Sequence, residues 1–498
     1  MMPRMGLDAK QIGILVLLAV LVVSVIIALI LSLVRSGEVP APPGTKYGMV
    51  FDAGSSHTSL FIYQWPTDKE NDTGIVSQTH VCDVDGPGIS SYASDPPGAG
   101  KSLVHCLDEA MSIIPAEKQK ATPTYLGATA GMRLLDLENK AASDKVLAEV
   151  SKTISRYPID FRGARIITGQ EEGSYGWITI NYLLESFMKY SFSGHWIRPI
   201  TSKIYGALDL GGASTQISFI PKVKVEEAKE KAEFKLYGFP YSIYTHSFLC
   251  YGQNQALKKM MVQATNGKDL ANSVNIPCYP KGYQETLSLH SLYNSPCTVK
   301  SAPSTPLTQR FNITGTSDAN ECYEILKTIY DFDSCAGNPS CSFDGIHQPP
   351  VVGNFFAFSA FFYTFDFLNL TSGQSLSTVR STVEAYCARD WSELQSSFPK
   401  EKKDRLRDYC ANANYILSLL LEAYKFKEES WTSISFMKQA ANTDIGWTLG
   451  YMLNLTNMIP SEAPSTMRVQ TYDVWVAAVF FIVFSLALVL IMLFLYFQ

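Results

Sequence analysis

Two long apolar runs, one near each end of the chain, constrain its fold more than any other feature. Ile12–Val34 and Val474–Phe497 contain no charged residue, and each exceeds the roughly 20 residues that a helix needs to cross a bilayer. A cleaved signal peptide is the alternative for the first run, but the run is too long and no small-x-small cleavage site follows before Arg35. No polar spacer precedes the second run, which argues against a lipid-anchor signal. The sequence therefore predicts two transmembrane helices, at residues 12–34 and 474–497.

The region between the two runs has the features of a polypeptide in an oxidising compartment. Arg4 and Lys10 precede the first span, which favours a cytoplasmic N-terminus and places the region between the spans outside the cytosol. All ten cysteines lie there, an even number typical of disulfides, and none forms a C-x-x-C zinc pattern. The same region contains four glycosylation sequons, at Asn71, Asn312, Asn369 and Asn454. We therefore predict a membrane protein with two spans and an intervening domain that lies outside the cytosol.

Length and charge restrict the class of protein further. The 498 residues are enough for two to four domains, and the terminal runs account for the slightly positive mean hydropathy of +0.03. The formal net charge is only −5 and no basic cluster is present, so a nucleic-acid partner is not expected.

Two predicted β-hairpins repeat the same pattern at wide separation. Residues 47–65 form the first, and residues 204–220 form the second. Each has an apolar strand that ends in an aspartate, then a turn of small residues with hydroxyl side chains, then an apolar return strand. The repeat predicts an α/β fold of two similar lobes that face each other across a cleft. The intervening pattern predicts helices at residues 101–114, 141–156 and about 171–190, and a loop at 83–101.

The second hairpin, Ala207–Gln216, indicates metal and phosphate chemistry. Glycine permits φ > 0 and a close approach of the backbone to a ligand, and the N–H groups of such a turn form an anion-binding concavity. An aspartate beside bound phosphate requires a divalent cation between the two negative groups. A plain surface loop remains the alternative if this segment is considered alone.

Two further segments have patterns that fit the same metal and phosphate chemistry. Leu126–Leu135 has a strand end, a turn of small residues and a helix start, which offers free N–H groups to an anion, although a tight packing turn has the same pattern. Glu171 and Glu172 open the next predicted helix, where carboxylates are common as capping residues. Alternatively one of them is a general base for water, and neighbours in sequence point in different directions, so at most one has this role.

Together these segments resemble the conserved regions of the ectonucleoside triphosphate diphosphohydrolases, or ecto-apyrases. The similarity extends over the whole region between the spans, and the two anchors match the cell-surface branch of that family. The matching segments are Val50–Thr58, Leu126–Leu135, Gly169–Leu183, Leu208–Phe219 and Asp444–Leu455. The resemblance implies the two-lobed fold of the actin/Hsp70/sugar-kinase type, between N- and C-terminal transmembrane helices.

The resemblance also implies residue roles. Glu172 would activate water, with Thr129, Ser214 and Gln216 beside it, while Asp52 and Asp209 would hold Ca²⁺ or Mg²⁺ largely through waters. Phosphate would contact Ser55, Ser56, His57, Ala130, Gly211, Gly212 and Ala213. Tyr363 and Arg405 would sandwich the base, which suits both residue types. Trp447 would support the metal and phosphate network.

Disulfide pairing does not follow from the sequence alone, and the resemblance supplies one set of pairs. The implied bridges are Cys82–Cys106, Cys250–Cys297, Cys278–Cys322, Cys335–Cys341 and Cys387–Cys410. One departure concerns nucleotide recognition: Gln253 and Asn254 occupy the places where many relatives have a basic residue and an aspartate. We therefore expect a weaker charged contact with the nucleotide.

The sequence and the resemblance together predict the organisation and the function of the chain. The predicted segments are a cytoplasmic N-terminus (1–11), a first span (12–34), a linker (35–45), lobe I (46–169 with 438–465), lobe II with a disulfide-rich elaboration (170–437) and a second span (474–497). The expected function is hydrolysis of terminal phosphates of extracellular nucleoside tri- and diphosphates, from ATP to ADP to AMP. The resemblance leaves a homo-oligomer open. A nucleotide receptor without chemistry and a kinase of the same fold are the alternatives, which an assay for released phosphate separates.

Overall fold

The computed structural model describes residues 8–199, 203–225, 227–460 and 466–497. Arg4 and the rest of residues 1–7 of the predicted cytoplasmic segment lie outside the described residues, as do 461–465 of predicted lobe I and 200–202 and 226 of predicted lobe II. The chain divides into two compact units, Met1–Gly44 with Glu462–Gln498, and Thr45–Ser461.

The first half of the chain contains groups of strands separated by groups of helices. In chain order they are α1 (Ala9–Leu33), β1 (Gly37–Pro40), β2 (Thr45–Ala53), β3 (Thr58–Pro66), β4 (Ser77–Val84), α2 (Pro96–Ser102), α3 (Val104–Ile113), α4 (Ala116–Gln119), β5 (Pro123–Ala128), α5 (Ala130–Glu138), α6 (Lys140–Ile154), β6 (Asp160–Ile166), α7 (Gly169–Leu183), β7 (Lys189–Tyr190), β8 (Trp196–Ile197), β9 (Gly206–Leu210) and β10 (Ser214–Phe219).

The second half has more helix and more irregular chain. Its elements are β11 (Lys231–Leu236), β12 (Phe239–Leu249), α8 (Gln253–Thr265), β13 (Val274–Ile276), β14 (Gln284–Ser288), α9 (Leu289–Tyr293), β15 (Arg310–Gly315), α10 (Ala319–Lys327), β16 (Phe355–Ser359), α11 (Ala360–Phe367), α12 (Leu376–Cys387), α13 (Trp391–Ser397), α14 (Lys403–Ser418), β17 (Ile434–Phe436), β18 (Gln439–Ala440), β19 (Thr443–Asp444), α15 (Trp447–Thr456), β20 (Thr466–Val469) and α16 (Tyr472–Phe497).

The smaller unit contains two helices that are long and apolar enough to cross a membrane, Gln11–Leu33 within α1 and Tyr472–Phe497. The 23 residues of the first rise about 35 Å, against a hydrocarbon core of about 30 Å. The two helices contact each other, and the Ser24 and Ser485 hydroxyls are 2.8 Å apart. Next to them β1 pairs with β20, so part of the stretch that the sequence indicates as a linker forms a strand.

The larger unit contains two sheets with the same strand order and directions. The first sheet has the order β4-β3-β2-β5-β6, and the second has the order β11-β12-β10-β9-β16-β17. In both, two antiparallel pairings lead to the central strand, and two parallel pairings follow it. The second sheet differs only by the additional edge strand β11. The repeat that the hairpin sequences predict therefore extends to the whole sheet.

The register places the two aspartates at equivalent points. Asp52 on β2 is opposite Ser59 of the return strand, and Asp209 on β9 is opposite Gln216. Each aspartate lies at the carboxyl end of its central strand, where parallel neighbours bring their own carboxyl ends to the same edge. This edge is where ligand sites form in open α/β sheets.

Two helices join the sheets. The apolar side chains of α7 and α15 share one buried cluster with side chains from β2, β3, β9, β12 and β16. The Gly450 N–H donates to Thr179 Oγ1 at 2.8 Å, which fixes α15 against α7. Because α7 begins directly after the first sheet and packs on the second, its N-terminus lies between the two hairpins.

Some local predictions differ from the structure. The stretch 83–101, expected as loop, contains most of α2, where Pro96 and Pro97 occupy the first helical positions that proline tolerates. The helix expected to reach residue 190 ends at Leu183. There the Asn181 side chain turns to bond the backbone of Tyr205 at 2.9 and 2.8 Å, which ties the helix end to the strand that follows.

All ten cysteines form disulfides. The bridges are Cys82–Cys106, Cys250–Cys297, Cys278–Cys322, Cys335–Cys341 and Cys387–Cys410, the pairs that the resemblance implies. Three of the sequon asparagines, at 71, 312 and 369, are exposed, whereas Asn454 on α15 is half-buried.

Candidate active site

The turns of the two hairpins meet. A Cβ atom at Gly212 would lie 2.6 Å from Ser55 Oγ and 3.0 Å from Asn254 Nδ2, so a larger residue there would displace these side chains. Ala130, at the start of α5, packs with Ala213 in a small buried cluster. Three of the segments singled out in the sequence therefore converge on one cleft.

The glycines of the second turn act through close approach alone. Gly211 and Gly212 do not have positive φ angles, so of the two properties that glycine offers, this turn uses the close approach. The absence of a side chain lets the two turns come together.

Three carboxyl groups interact in this cleft. Both aspartates keep some exposed surface, yet burial raises the pKa of Asp52 to about 7, an effect that Trp447 reduces and Glu172 increases. Burial, followed by the Glu172 charge, raises the pKa of Asp209 to about 8. Burial also raises the pKa of Glu172, against the opposing effect of Arg133. One guanidinium for three carboxyl groups leaves negative charge that a cation would stabilise.

The two adjacent glutamates have different environments. Thr168 caps α7 in a capping box with Glu171, and Arg165 bonds both Glu171 oxygens at 2.7 and 2.8 Å. Burial alone would raise the pKa of Glu171, but these hydrogen bonds outweigh it and lower the pKa. Glu172 is only 7% exposed and faces the cleft. The structure thus gives Glu171 a capping role and leaves Glu172 available for chemistry.

A polar network surrounds Glu172. Gln216 Nε2 is 2.6 Å from Ser214 Oγ, 2.8 Å from Ser247 Oγ and 3.2 Å from Glu172 Oε2. Arg133 forms an ion pair with Glu172 and donates to Ser247 Oγ at 3.2 Å and to Ser214 Oγ at 3.3 Å. These contacts fix the orientation of the Glu172 carboxylate.

Several buried polar atoms in the cleft have no hydrogen-bond partner within the described part of the chain. They are Asp52 Oδ1, Gln216 Oε1, Arg133 Nε and Trp447 Nε1. Buried polar atoms in native proteins are normally satisfied, so this group indicates a site for a ligand or ordered water. Paired carboxylates with neutral oxygen donors suit a hydrated hard cation such as Ca²⁺ or Mg²⁺.

The remaining predicted phosphate residues lie on the two turns and at one helix start. Ser56 and His57 are exposed, and their side chains are 3.2 Å apart. Thr129 is the N-cap residue of α5 but makes no side-chain capping bond, so its hydroxyl is not committed to the helix. The helix start adds backbone N–H groups and the positive end of its dipole to the cleft.

Helix α8 supports the second turn from behind. The backbone N–H groups of Gln253 and Asn254 donate to the Gly211 and Gly212 carbonyls at 2.8 and 2.9 Å. The carbonyls of the turn therefore accept from N–H groups at the helix start that have no partner within the helix. The Cys250–Cys297 bridge lies beside this junction, and the Cys250 N–H donates to the Ala213 carbonyl at 2.9 Å.

A cavity of about 230 Å³ continues the cleft beyond the two turns. It is lined by Ser55, Gly212, Asn254 and Lys258, among others. The departure at Asn254 therefore places a neutral amide directly against the phosphate turns.

The predicted base-stacking residues lie on two helices that contact each other. Tyr363 on α11 is 54% exposed, and the Arg405 side chain on α14 is 61% exposed. One turn further along each helix, the rings of Phe367 and Tyr409 stack at 3.7 Å. Residues four apart share a helix face, so Tyr363 and Arg405 are on the faces that meet at this stack.

Sequence reasoning assigned no role to three residues at this site. Arg133 lies inside one of the matching segments, and a charged side chain so close to turns of small residues could have indicated a role at this site. Ser247 and Ser359 had no local signal. Ser359 has φ of 57°, an unusual conformation for serine, and its side chain partly offsets the raised pKa of Asp209.

The fold and the site correspond to one class of protein. Residues 39–470 match the model of the GDA1/CD39 (nucleoside phosphatase) family, and the chain belongs to this family. The crystal structure of nucleoside triphosphate hydrolases from Neospora caninum has a similar fold, with a TM-score of 0.59 at 15% identity, over 85% of this chain and 94% of that one.

Individual relatives are similar over nearly the full length. Ectonucleoside triphosphate diphosphohydrolase 8 of Bos taurus is 52% identical over 97% of each chain, and that of Gallus gallus is 53% identical over 93% of each. The segment Phe51–Leu60 and the C-terminal span with Trp475 predict a likeness to this type-eight member, and the comparison confirms it. Ectonucleoside triphosphate diphosphohydrolase 2 of Gallus gallus is 48% identical over 94% of each chain.

Proposed function

We propose that this chain is a cell-surface nucleotidase that hydrolyses the terminal phosphates of extracellular nucleoside tri- and diphosphates, from ATP to ADP to AMP. One observation supports it above the others: a buried glutamate between two aspartates, at the point where two phosphate-type turns meet. The relatives named ectonucleoside triphosphate diphosphohydrolase support the substrate class.

Glu172 is the proposed general base. A base is most effective when its pKa is close to the working pH, and burial moves the Glu172 pKa in that direction. Arg133 opposes this shift and favours the ionised carboxylate. Gln216, Ser214 and Thr129 are proposed to orient the attacking water and the phosphoryl group, through the hydrogen bonds and the uncommitted hydroxyl described above.

Membership of the family implies dependence on a divalent cation, which we propose to be Ca²⁺ or Mg²⁺ held by Asp52 and Asp209 largely through waters. When bound, the cation supplies charge neutralisation for the phosphoryl oxygens. Trp447 lies beside Asp52 and lowers the pKa of its carboxyl, so we propose that it supports the carboxylate that holds the cation.

The turns are proposed to bind phosphate through backbone N–H groups and hydroxyls. The residues are Ser55, Ser56, His57, Ala130, Gly211, Gly212 and Ala213. Such donors are already fixed before substrate binds, so they stabilise developing charge without reorganisation. Tyr363 and Arg405 are proposed to stack on the base, with Gln253 and Asn254 giving a neutral surface beside the phosphates.

Residues 1–11 are proposed to be cytoplasmic, residues 12–34 and 474–497 to span the plasma membrane, and the catalytic region to be extracellular. Its proposed parts are lobe I (46–169 with 438–465), lobe II (170–437) and the linker 35–45. We propose glycans at Asn71, Asn312 and Asn369, because these side chains are exposed; the half-buried Asn454 is the least accessible of the four. Self-association into a homo-oligomer is compatible with this arrangement.

The test is a time course of ATP, ADP and AMP outside intact cells that express the chain. The proposal predicts loss of ATP, later loss of ADP, release of phosphate, and arrest when a chelator removes divalent cations. Binding of ATP without phosphate release would favour a receptor, and transfer of labelled phosphate to an acceptor would favour a kinase.

A further inference from the structure

A lysine lies in the cavity that continues the cleft beyond the two hairpin turns. The cavity has a volume of about 230 Å³, and Lys258 on α8 is the one basic side chain among the described residues that line it. Sites that enclose a whole small molecule have volumes of about 300–1,000 Å³. A cavity of this size therefore accommodates part of a larger ligand.

The ammonium group of Lys258 is available to such a ligand. Lys258 is half-buried, and its ammonium forms no hydrogen bond or ion pair with the described part of the chain. Burial lowers the pKa of Lys258, and the charge of Glu138 opposes this effect. Glu138 also lines the cavity, but it is exposed, so water screens its charge. A ligand with negative charge would therefore compensate the half-buried ammonium.

Helix α5 separates the cavity from the proposed base. Gly131, Leu135 and Glu138 lie on one face of α5 and line the cavity. Arg133, which pairs with Glu172, lies about 150° away around the helix, at about 100° per residue. Neither Arg133 nor Glu172 is among the described residues that line the cavity. The cavity and the proposed base therefore lie on different sides of α5.

This position suits the leaving group of the proposed hydrolysis. The attacking water and the leaving oxygen lie on opposite sides of a phosphoryl group during its transfer. With the terminal phosphoryl group on the two turns and the water beside Glu172, the leaving group extends away from Glu172. The cavity is lined by Ser55 and Gly212 of the turns themselves, so it is the adjoining space on that side.

The wall of the cavity is fixed by contacts within the chain. The Cys250–Cys297 bridge holds the segment that contains Ser295 beside the second turn. Ser295 Oγ donates to Gln255 Oε1 at 2.9 Å, which joins this segment to α8. Lys258 is three residues after Gln255 and shares its helix face. The helix that carries Lys258 is therefore in place before a ligand binds, as efficient charge stabilisation requires.

We propose that Lys258 binds the phosphate groups of the leaving nucleotide, which is ADP when ATP is hydrolysed and AMP when ADP is hydrolysed. This inference rests on the proposed function. As water bonds to the terminal phosphorus and Glu172 takes its proton, the bridging P–O bond breaks and the electron pair stays on the leaving phosphate. The ammonium stabilises that negative charge, and it provides the charged contact that the neutral Gln253 and Asn254 do not.

The test measures kcat and KM for ATP and for ADP with the full-length chain in detergent at fixed Ca²⁺. Lys258→Met is expected to lower kcat/KM about tenfold for ATP, since a hydrogen bond to a charged group is lost. The loss for ADP is expected to be about threefold, because its leaving group has one phosphate instead of two. Lys258→Arg keeps the charge and is expected to stay within about threefold of the unaltered chain for both substrates.

Lys268→Met is the matched control, because Lys268 is an exposed lysine three residues after the end of α8. This variant is expected to have the kinetics of the unaltered chain. An equal loss of kcat/KM in Lys268→Met and Lys258→Met would overturn the proposal, as would unchanged kinetics of Lys258→Met with ATP.

Glu138→Gln distinguishes a ligand contact from a contact that only holds the two walls of the cavity together. Removal of the opposing charge is expected to raise kcat/KM for ATP by about twofold, the reverse of the effect of Lys258→Met. Similar losses in Glu138→Gln and Lys258→Met would indicate a contact between the walls and would overturn the proposal. Failure of the unaltered chain to hydrolyse either nucleotide would instead refute the proposed function.

Discussion

The two hairpins at the centre of the molecule are equivalent in backbone but different in surroundings. Asp52 and Asp209 have the same place in their sheets, and the pKa of each is raised by burial and by Glu172. The first turn, Ser55–His57, is largely exposed, whereas the second is supported by α8 and lies next to the Cys250–Cys297 bridge.

The position of Glu172 adds a further asymmetry. It belongs to α7, which follows the first sheet, yet Gln216 of the second hairpin lies 3.2 Å from its carboxylate. Arg133, from the first half of the chain, completes the contact. In the proposed mechanism, the duplicated fold supplies a symmetric pair of carboxylates for a cation, and a single helix start supplies the base.

If the aspartates are an equivalent pair, their removal should have equal effects. Asp52→Asn and Asp209→Asn are each expected to lower kcat by about 10³-fold at fixed Ca²⁺, since each removes one of the two carboxylates proposed to hold the cation. Steady-state phosphate release at increasing Ca²⁺ measures the effect. Asp136→Asn on the outer part of α5 is the control. A loss of less than tenfold in either variant would show that the two hairpins are not equivalent in function.

The support of the second turn should be sensitive to one methyl group. A Cβ atom at Gly252 would lie 2.3 Å from both Ala213 N and Ser214 N. Gly252→Ala is therefore expected to displace the turn and to lower kcat/KM by about 10²-fold, since misplacement by about 1 Å costs that much. Gly252→Ser should be at least as damaging. Normal kinetics for Gly252→Ala would contradict the role given to α8.

Arg133 should set the pH dependence of the base. Its charge lowers the pKa of Glu172, so Arg133→Gln is expected to raise that pKa further. The base is then ionised only at higher pH, and kcat/KM at pH 7 is expected to fall about tenfold and to recover in part above pH 8. A rate–pH profile of both proteins tests this shift. An acidic limb at unchanged pH would exclude the contact as a determinant of the Glu172 pKa.

The edge strand β11 of the second sheet has no counterpart in the first sheet. A substitution beside it should have a smaller effect than the substitutions above, on stability rather than on catalysis. Glu230, just before β11, is buried without a hydrogen-bond partner in the described residues, and burial raises its pKa to about 7. A carboxyl whose folded pKa is raised stabilises the fold fully below its unfolded pKa, and this contribution is lost as pH rises through about 7.

Glu230→Gln removes this titration. The melting temperature of the variant relative to the unaltered chain is therefore expected to rise by about 2 °C between pH 5 and pH 8. His246 lies 4.0 Å from Glu230, but burial lowers its pKa to about 4, so its own titration falls below the pH range compared. A difference that does not change with pH would exclude an ionising Glu230.

How far the sequence predicts this molecule depends on whether the interacting residues are close together in the chain. The aspartates, the small-residue turns and the glutamate pair are contiguous patterns, and each predicts a local structure. The choice of Glu172 over Glu171 came from the family resemblance, and the structure adds a physical reason, because Arg165 and the capping box engage Glu171.

Contacts between distant segments had no local pattern. The bonds from α8 to the second turn, Ser247 beside Gln216, and the pairing of β1 with β20 all join residues that only the tertiary fold brings together. The backbone conformation of the second turn was also not predictable, because glycine serves both left-handed backbone and close approach, and the sequence does not distinguish the two.

The central claim is that Glu172, rather than its neighbour, activates water. The direct measurement compares initial rates of ATP hydrolysis by Glu172→Gln and Glu171→Gln at saturating Ca²⁺. Glu172→Gln is expected to lose about 10²-fold or more in kcat while it still binds nucleotide, since general-base catalysis contributes about 10²–10⁴-fold. Glu171→Gln, which weakens a partly exposed ion pair, should stay within about threefold. Rapid hydrolysis by Glu172→Gln would contradict the account.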